Sequence, residues 1–293
     1  MKKQGPPLCN AFYADVPYQL IHSVRLIHAL MESGYRVHIP TEHLEKFSRI
    51  KEVFGVKFAV GVDSVPRLSP LEVDHEQPRT SVGRIHRPLI WPHAVVRRCR
   101  SLWPNRRDVR FSFAGLVTTS RKQALGRWLK ATISHTRPQL HANIVEAGPG
   151  LVSLDNDRVV FWSSSRGRHF PGKSWDDDYH QLLANSRFVL CPSGKYSWTY
   201  RFFEAALCGA VPVIEKVCPA YEGFYFRMMD EPVGNWKWRK DHAQHNYETC
   251  RDLLTVPRDS LTQEIARLLA ADTGDASGLN PLPQAQATSK RQI

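Results

Sequence analysis

The 293-residue sequence contains no apolar run near the roughly 20 residues that a bilayer-spanning helix needs. Its opening residues, MKKQGPP, have no apolar signal core. We therefore expect a cytoplasmic protein whose contact with a membrane, if it makes one, is peripheral. Residues 271–293 contain few large apolar side chains, and we expect them to form a disordered tail.

Cysteine is sparse and never occurs as a C-x-x-C pair. The six cysteines are scattered, at Cys9, Cys99, Cys191, Cys208, Cys218 and Cys250. A structural zinc site favours paired spacing, and a disulfide framework is typical of shorter chains with a higher cysteine density. We interpret these residues as reduced thiols that pack like small core side chains.

Acidic residues are outnumbered, with 28 Asp and Glu against 40 Lys and Arg, which gives a net charge of +12. Such a surface attracts polyanions, including nucleic acids, anionic lipids and phosphorylated small molecules. Much of the excess lies in the arginine-rich stretch 97–110. This stretch fits a solvated basic face, a surface that docks on an anionic membrane, or a phosphate site.

Short apolar runs alternate with amphipathic stretches, which is typical of βαβ units. We predict an α/β fold of two Rossmann-like domains that face a cleft, with domains at 1–105 and 106–270. Residues 66–88 are rich in proline and charge, and we interpret them as loop. Ligands of such folds bind at the carboxyl ends of the strands.

The most informative segment runs from Cys191 to Ile214. An apolar strand ends at Cys191, and the loop residues Ser193, Gly194 and Lys195 turn the chain. We predict a helix over 198–208 with Ser197 as its N-cap. The N-terminus of such a helix attracts anions, and Lys195 adds positive charge.

Arg201 and Glu204 share one face of that predicted helix. An ion pair between them would stabilise the helix by only a few tenths of a kcal/mol. The rest of the helix is apolar, and charges on a buried helix are costly without partners. We therefore predict that both side chains contact a ligand. Arg201 would hold a diphosphate with its planar fork, and Glu204 would accept hydrogen bonds from ribose hydroxyls.

Residues 185–214 resemble the exostosin-type glycosyltransferases. The shared pattern is N-S-x-F-x-L-C-P-x-G, then W-x-x-R-F-F-E-A-x-x-x-G-x-x-P-V-I. The resemblance extends upstream to Phe113-Ala-Gly115 and the following Arg121, so that it covers about 109–214. The first hundred residues do not clearly match.

The resemblance implies a GT-B fold in which the C-terminal domain binds a nucleotide-sugar donor and the N-terminal domain lies on the acceptor side. It implies sugar transfer with inversion at the anomeric carbon, without a metal. Arg201 and Glu204 correspond to donor phosphate and ribose contacts, and Gly115 and Arg121 to further phosphate contacts. We add the loop residues 193–195 to the donor-binding set.

Two other polar segments allow more than one interpretation. The acidic triplet Asp176, Asp177 and Asp178 contains a D-x-D match, which metal-dependent transferases use, but it also precedes an amphipathic helix whose N-terminus it would cap. We favour capping. Arg166 and Arg168 follow a strand, and they fit a phosphate or acceptor contact as well as a solvated loop.

An inverting transferase needs a general base for the acceptor hydroxyl. Asp15 is our first candidate, because it follows the first apolar segment and precedes a helix, although a turn or cap role also fits it. His38, Glu42 and His93 are weaker candidates.

We predict an enzyme that extends a glycan on a saccharide or lipid-linked acceptor, in the synthesis of a cell-surface polysaccharide. Two other functions stay open: a catalytically inactive, exostosin-like scaffold subunit and a basic nucleic-acid-binding protein. We do not expect nucleic acid as a partner, because the segment 191–214 is apolar and closed.

Overall fold

The computed structural model describes residues 10–17, 21–74, 76–132, 150–154, 159–164 and 174–272. The side chains of Arg166 and Arg168 and almost all of the predicted tail lie outside these residues. None of the helices in the described ranges is long and apolar enough to cross a bilayer.

The N-terminal sheet is parallel, with its strands in the order β3-β2-β1-β4. Two helices connect strands of this sheet, α1 between β1 and β2, and α2 between β2 and β3. Their apolar faces, with Val24, Ile27, Phe47 and Ile50, pack into the core beside the sheet. The elements are β1 (Ala11–Ala14), α1 (Ile21–Met31), β2 (Arg36–Ile39), α2 (Leu44–Phe54), β3 (Ala59–Val60) and β4 (Arg67–Leu68).

The prediction of a loop at 66–88 was wrong. This stretch contains β4 and a separate antiparallel sheet of β5 (Leu71–Asp74), β6 (Arg79–Val82) and β7 (Ile85–Arg87). The strands are short and polar, so their alternation is weak in the sequence. The sheet is held by contacts with distant residues, since Val82 is buried in the N-terminal core and Glu264 accepts from the backbone N–H of Arg84 at 2.7 Å.

The second sheet has the strand order β13-β12-β11-β8-β10-β9, parallel except for β9. Its central strands are apolar and buried, as expected for a sheet covered on both faces. The predicted α/β architecture with two parallel sheets is thereby confirmed. The elements are β8 (Val109–Leu116), α4 (Thr119–Thr132), β9 (Gly150–Leu154), β10 (Val159–Ser164), α5 (Asp177–Asn185), β11 (Ser186–Cys191), α6 (Tyr200–Leu207), β12 (Val211–Ile214) and β13 (Arg227–Met228).

Three further helices link the two halves. Helix α3 (His93–Ser101) packs Val95, Val96 and Cys99 into the same core as α6, and so does α7 (Lys240–Leu254). Helix α8 (Arg258–Asp272) returns to the N-terminal core through Leu261, Ile265 and Leu268. The two parallel sheets lie on either side of residue 105, whereas α8, at the C-terminal end of the described chain, packs against the N-terminal core.

Buried cysteines contribute to these cores. Cys99, Cys191, Cys208, Cys218 and Cys250 are all free and buried, which confirms their interpretation as core side chains. Burial raises the pKa of the Cys191 thiol to about 12, so this residue is a neutral thiol at physiological pH.

The arginine-rich stretch 97–110 does not form one basic face. Arg107 is 4% exposed and donates to the carbonyl oxygens of Ala184, of Ser186 at 2.9 Å and of Cys208 at 2.9 Å. Burial lowers its pKa to about 10, where it is still charged at neutral pH. Arg100 lies 3.9 Å from the centre of the Trp103 ring. Arg100 and Arg107 therefore serve the packing of the protein, whereas Arg97, Arg98 and Arg106 are exposed.

Candidate functional site

Two neighbouring strands of the second sheet end side by side. Strands β8 and β11 are parallel, with Phe111 opposite Phe188 and Ser112 opposite Val189. The loops that follow them, before α4 and α6, therefore leave the sheet at the same carboxyl edge, where ligands of parallel sheets bind. This geometry brings Gly115, Arg121 and the loop 193–195 close to α6.

Arg201 lies in the first turn of α6 and is only 6% exposed. Its Nε donates to the carbonyl oxygen of Ala114 at 2.7 Å, and its guanidinium lies 4.4 Å from the centre of the Phe113 ring. Among the residues that the structure describes, no acceptor meets its buried Nη1. A buried N–H group without an acceptor is costly, so this atom is suited to a ligand oxygen.

Gly115 makes room for Arg201. Its φ of +140° lies in a region that residues with a side chain rarely adopt, and a β-carbon at this position would overlap Arg201 Nη2. The glycine at the end of β8 therefore sets how closely the guanidinium approaches the strand.

Arg121 reaches the same place from α4. Its Nη1 donates to the carbonyl oxygen of Leu116 at 3.1 Å, and its Nη2 would lie 3.1 Å from a β-carbon at Gly194. Its buried Nε meets no acceptor within the described ranges. Burial, and then the charge of Arg201, lower the pKa of Arg121 to about 10, so it stays protonated at neutral pH.

The guanidinium groups of Arg121 and Arg201 thus lie at the same edge of the sheet, and each is in contact with a glycine. Each also has a buried N–H group that meets no acceptor among the described residues. Their mutual repulsion, visible in the pKa of Arg121, would be relieved by an anion between them. Planar forks of this kind bind phosphate oxygens with two parallel hydrogen bonds. The arrangement suits a ligand that carries one or two phosphate groups.

Glu204 is fully buried one turn further along α6. Its Oε2 accepts from the hydroxyl of Tyr179 at 2.5 Å. Tyr179 belongs to α5, so this hydrogen bond joins the two helices next to the arginine pair. The predicted ribose contact needs Glu204 to reach a ligand from this position, and it stays a prediction.

Helix α6 begins two residues later than predicted. Its N-cap is Thr199, not Ser197, and the cap makes no side-chain hydrogen bond. The backbone N–H of Thr199 donates to the hydroxyl of Tyr221 at 2.8 Å, and Trp198 Nε1 donates to the Glu76 carbonyl at 3.2 Å. These contacts with distant residues hold 198–199 out of the helix, so one N–H group expected for an anion already has a partner.

The loop residues take different positions. Ser193 is 4% exposed, whereas Lys195 is exposed with its Nζ 5.3 Å from the centre of the Tyr196 ring. Gly194 lies against Arg121. Lys195 is therefore an exposed positive charge directly after the glycine that contacts Arg121.

The candidate bases lie in the N-terminal half. Asp15 directly follows β1, is 46% exposed at its side chain, and forms an ion pair with Arg67.

The weaker candidates are His38, His93 and Glu42. The Nδ1 atom of His38 is hydrogen-bonded to the Gly61 carbonyl oxygen at 2.8 Å, and the Nε2 atom of His93 to the Val256 carbonyl oxygen at 2.9 Å. Glu42 is exposed in a 3-10 turn. The two histidines thus have structural partners.

The capping interpretation of the acidic triplet is confirmed for Asp176, whose side chain accepts from the backbone N–H of Tyr179 at 3.0 Å and caps α5. Asp177 accepts from Trp175, Arg49 and Arg98, and Asp178 is exposed. In the ranges described, no three His, Cys, Asp or Glu side chains are grouped to hold a metal ion.

Sequence reasoning missed the aromatic and polar residues where the two halves meet near α6. The ring of His22, on α1, lies 5.9 Å from Trp198 and 5.8 Å from Tyr200, and its Nε2 is 2.8 Å from Thr80 Oγ1. Trp91 stacks on Tyr200 at 5.2 Å. The sequence did contain a signal for this contact: α1 has polar residues, including His22, on an otherwise apolar helix.

Comparison with known proteins identifies the family pattern. The model of the Exostosin GT47 domain matches residues 43–222, so the match begins in the first half, well upstream of residue 109. No curated protein matches the chain in sequence.

Similar solved structures include a GtfA/B complex, at 11% identity and a TM-score of 0.35 over 82% of this chain and 46% of that one. Anabaena Alr3699/HepE in complex with UDP-glucose is 14% identical, with a TM-score of 0.36 over 89% of this chain and 79% of that one. The chain thus spans under half the length of the GtfA/B chain.

Proposed function

This chain belongs to the exostosin GT47 family of glycosyltransferases, and we propose that it transfers a sugar from a nucleotide-sugar donor whose diphosphate binds between Arg121 and Arg201. The observation that carries the proposal is the convergence of these two guanidinium groups, each with a buried N–H group that meets no acceptor in the described structure. Ser193, Gly194 and Lys195 complete the donor side.

The proposed reaction is an inverting displacement. The acceptor hydroxyl oxygen attacks the anomeric carbon, and the bond from that carbon to the diphosphate oxygen breaks with its electron pair leaving on the diphosphate. Arg121 and Arg201 would stabilise this developing charge, a task for which other transferases use a divalent cation. We therefore propose that no metal is needed.

Asp15 is our proposed base, which would take the proton of the acceptor hydroxyl. It directly follows the carboxyl end of β1, where ligands of parallel sheets bind, and its side chain is half exposed. Arg67 would have to release or share this carboxylate when the acceptor binds.

The acceptor class is proposed as a saccharide or a lipid-linked saccharide that is built into a cell-surface polysaccharide. We also propose that the protein is cytoplasmic and that the exposed part of the stretch 97–110, which includes Arg97 and Arg106, contacts an anionic membrane.

The donor site is tested by thermal shift with UDP, GDP, CMP, dTDP and their sugars, with and without EDTA. A ligand at about 100 times its dissociation constant adds about 2.7 kcal/mol to the free energy of unfolding. We expect one nucleotide to raise the melting temperature in EDTA, and Arg121→Ala to abolish the shift. Arg127→Ala is the matched control, because Arg127 lies on the same helix but is exposed.

A shift that appears only with a divalent cation would contradict the metal-independent mechanism. If no nucleotide shifts the wild-type protein, the donor-site proposal fails and the scaffold function is favoured.

A further inference from the structure

A cavity of about 1010 Å³ lies in the N-terminal half, away from the arginine pair. It opens where α1 and α2 end and where β2 and β3 begin, at the amino edge of the N-terminal sheet. Helices α3 and α8 complete its wall. Asp15 and the proposed donor residues do not line it, since they follow the carboxyl ends of strands. Its volume is at the upper end of ordinary ligand pockets.

The exposed part of the lining is strongly basic. It consists of five cations from four separate segments: Arg36, Lys51, Lys57, Arg97 and Arg258. Within the part of the chain that the structure describes, none of the five forms an ion pair. Like charges around one opening repel each other, and an anion there is attracted by all of them.

The acidic residue of the lining, Glu32, is already engaged. Its two carboxylate oxygens accept from the backbone N–H groups of His93 and Ala94, each at 2.8 Å. This carboxylate caps the N-terminus of α3 and offsets its dipole. Within the described ranges, Glu32 forms no ion pair with any of the five cations, which leaves the opening with a net positive charge.

The inner part of the lining is apolar. Ile90, Trp91, Val256 and Leu261 are between 0% and 4% exposed, and the half-buried Tyr35, Phe54 and Phe58 supply the apolar surface that stays accessible. A fully polar anion would leave the exposed part of these three rings in contact with water, whereas an apolar group would bury it at about 25 cal/mol per Å². The cavity thus combines a cationic rim with an apolar floor.

We propose that this cavity binds an anionic amphiphile, whose phosphate or carboxylate head is held by the cationic rim and whose apolar body covers the floor. Both a membrane lipid and a free amphiphilic phosphate have this chemistry. The site is separate from the proposed donor site and does not depend on the donor proposal.

The full-length protein is titrated with three probes: decyl phosphate below its micelle concentration, inorganic phosphate and decyl maltoside. Binding is followed by calorimetry and by tryptophan fluorescence, since Trp91 lies in the wall. We expect decyl phosphate to bind saturably and more tightly than either of the other two probes. Equal binding of decyl phosphate and decyl maltoside would overturn the role of the cations.

The charge-reversal variant Lys57→Glu/Arg97→Glu should weaken decyl phosphate binding by about tenfold or more. Its control is Lys237→Glu/Lys240→Glu, which reverses two exposed cations that do not line the cavity. Equal losses in the two variants would show a general charge effect and refute the site. A second variant, Ala94→Leu, adds bulk to the wall without changing charge and should weaken decyl phosphate but not inorganic phosphate.

Co-sedimentation with vesicles of equal parts phosphatidylglycerol and phosphatidylcholine then distinguishes a membrane lipid from a free amphiphilic phosphate as the ligand. Sedimentation that is lost in a Lys51→Glu/Lys57→Glu variant, which leaves the stretch 97–110 unchanged, assigns the site to a membrane lipid. Binding of decyl phosphate without sedimentation assigns it to a free amphiphile. If neither probe binds, the proposal is wrong.

Discussion

The guanidinium of Arg201 lies against the backbone of Gly115, at the position that a β-carbon would occupy. The carbonyl of the preceding residue, Ala114, accepts from Arg201 Nε at 2.7 Å. A glycine at the end of one strand and an arginine on a helix 86 positions later in the chain are thus a single structural unit. This unit sets the position of one half of the proposed phosphate site.

Gly115→Ala should move Arg201 and abolish nucleotide binding. The β-carbon would overlap Arg201 Nη2, and the φ of +140° adds strain of about 1–3 kcal/mol. Gly223→Ala is the control, because Gly223 has a φ of +83° with open space around it. Chemical denaturation should show destabilisation in both variants, while calorimetry with the donor nucleotide shows a loss only in Gly115→Ala. Unchanged nucleotide affinity in that variant would separate Arg201 from the donor.

Substitutions of Arg121 should distinguish the contribution of its planar guanidinium, which donates two parallel hydrogen bonds, from the contribution of its charge. Arg121→Lys keeps a cation but loses the second parallel hydrogen bond, and hydrogen bonds to charged groups contribute about 1.5–3 kcal/mol each. We expect nucleotide affinity to fall by about 10- to 100-fold in Arg121→Lys, and further in Arg121→Ala. A lysine variant with wild-type affinity would mean that Arg121 acts only as a point charge.

Glu204→Gln should weaken nucleotide binding more than pyrophosphate binding, if Glu204 contacts the ribose. Pyrophosphate has no ribose, so it serves as the matched ligand for the arginine pair alone. Equal losses for both ligands would place Glu204 in a purely structural role. Tyr179→Phe tests that role directly. It removes the donor to Glu204 Oε2 and should lower the free energy of unfolding by about 1–3 kcal/mol in urea titrations.

Asp15→Asn should lower kcat by a factor of about 10² to 10⁴, the usual contribution of a general base, with little change in donor affinity. Arg67→Ala is the informative companion, because it removes the ion-pair partner and leaves the carboxylate in place. We expect this variant to stay active in a transfer assay with the donor found by thermal shift. Similar, small losses in both variants would show that the ion pair matters and that the base lies elsewhere.

Asp176→Ala should destabilise the protein by about 0.5–2 kcal/mol, because it removes the cap of α5. Asp178→Ala should change stability little, since Asp178 is exposed. Transfer activity of Asp178→Ala should stay unchanged, with or without EDTA. A strong loss of activity that added Mn²⁺ partly restores would assign the acidic triplet to a metal site.

Local patterns were sufficient to predict several elements. The apolar spacing predicts a helix over 44–54 and strands over 159–163 and 211–214. The structure has α2 and β12 at these bounds and β10 one residue longer. Their apolar spacing and terminal glycines are properties of neighbouring residues, which a sequence displays directly. Helix α7 was missed, although Ala243, Tyr247, Cys250 and Leu254 form a weak apolar stripe at helical spacing.

The sequence by itself determined the α/β class, the family pattern around α6, and the interpretation of Asp176 as a cap. Only the tertiary structure decided that Gly115 makes room for Arg201, that Arg121 lies against Gly194, and that Tyr179 donates to Glu204. It also decided that Tyr221, rather than Ser197, engages the start of α6. These relationships join residues from different strands and helices, and the pairing of β8 with β11 brings several of them together. No local pattern encodes such a distance, because it depends on how the whole sheet assembles.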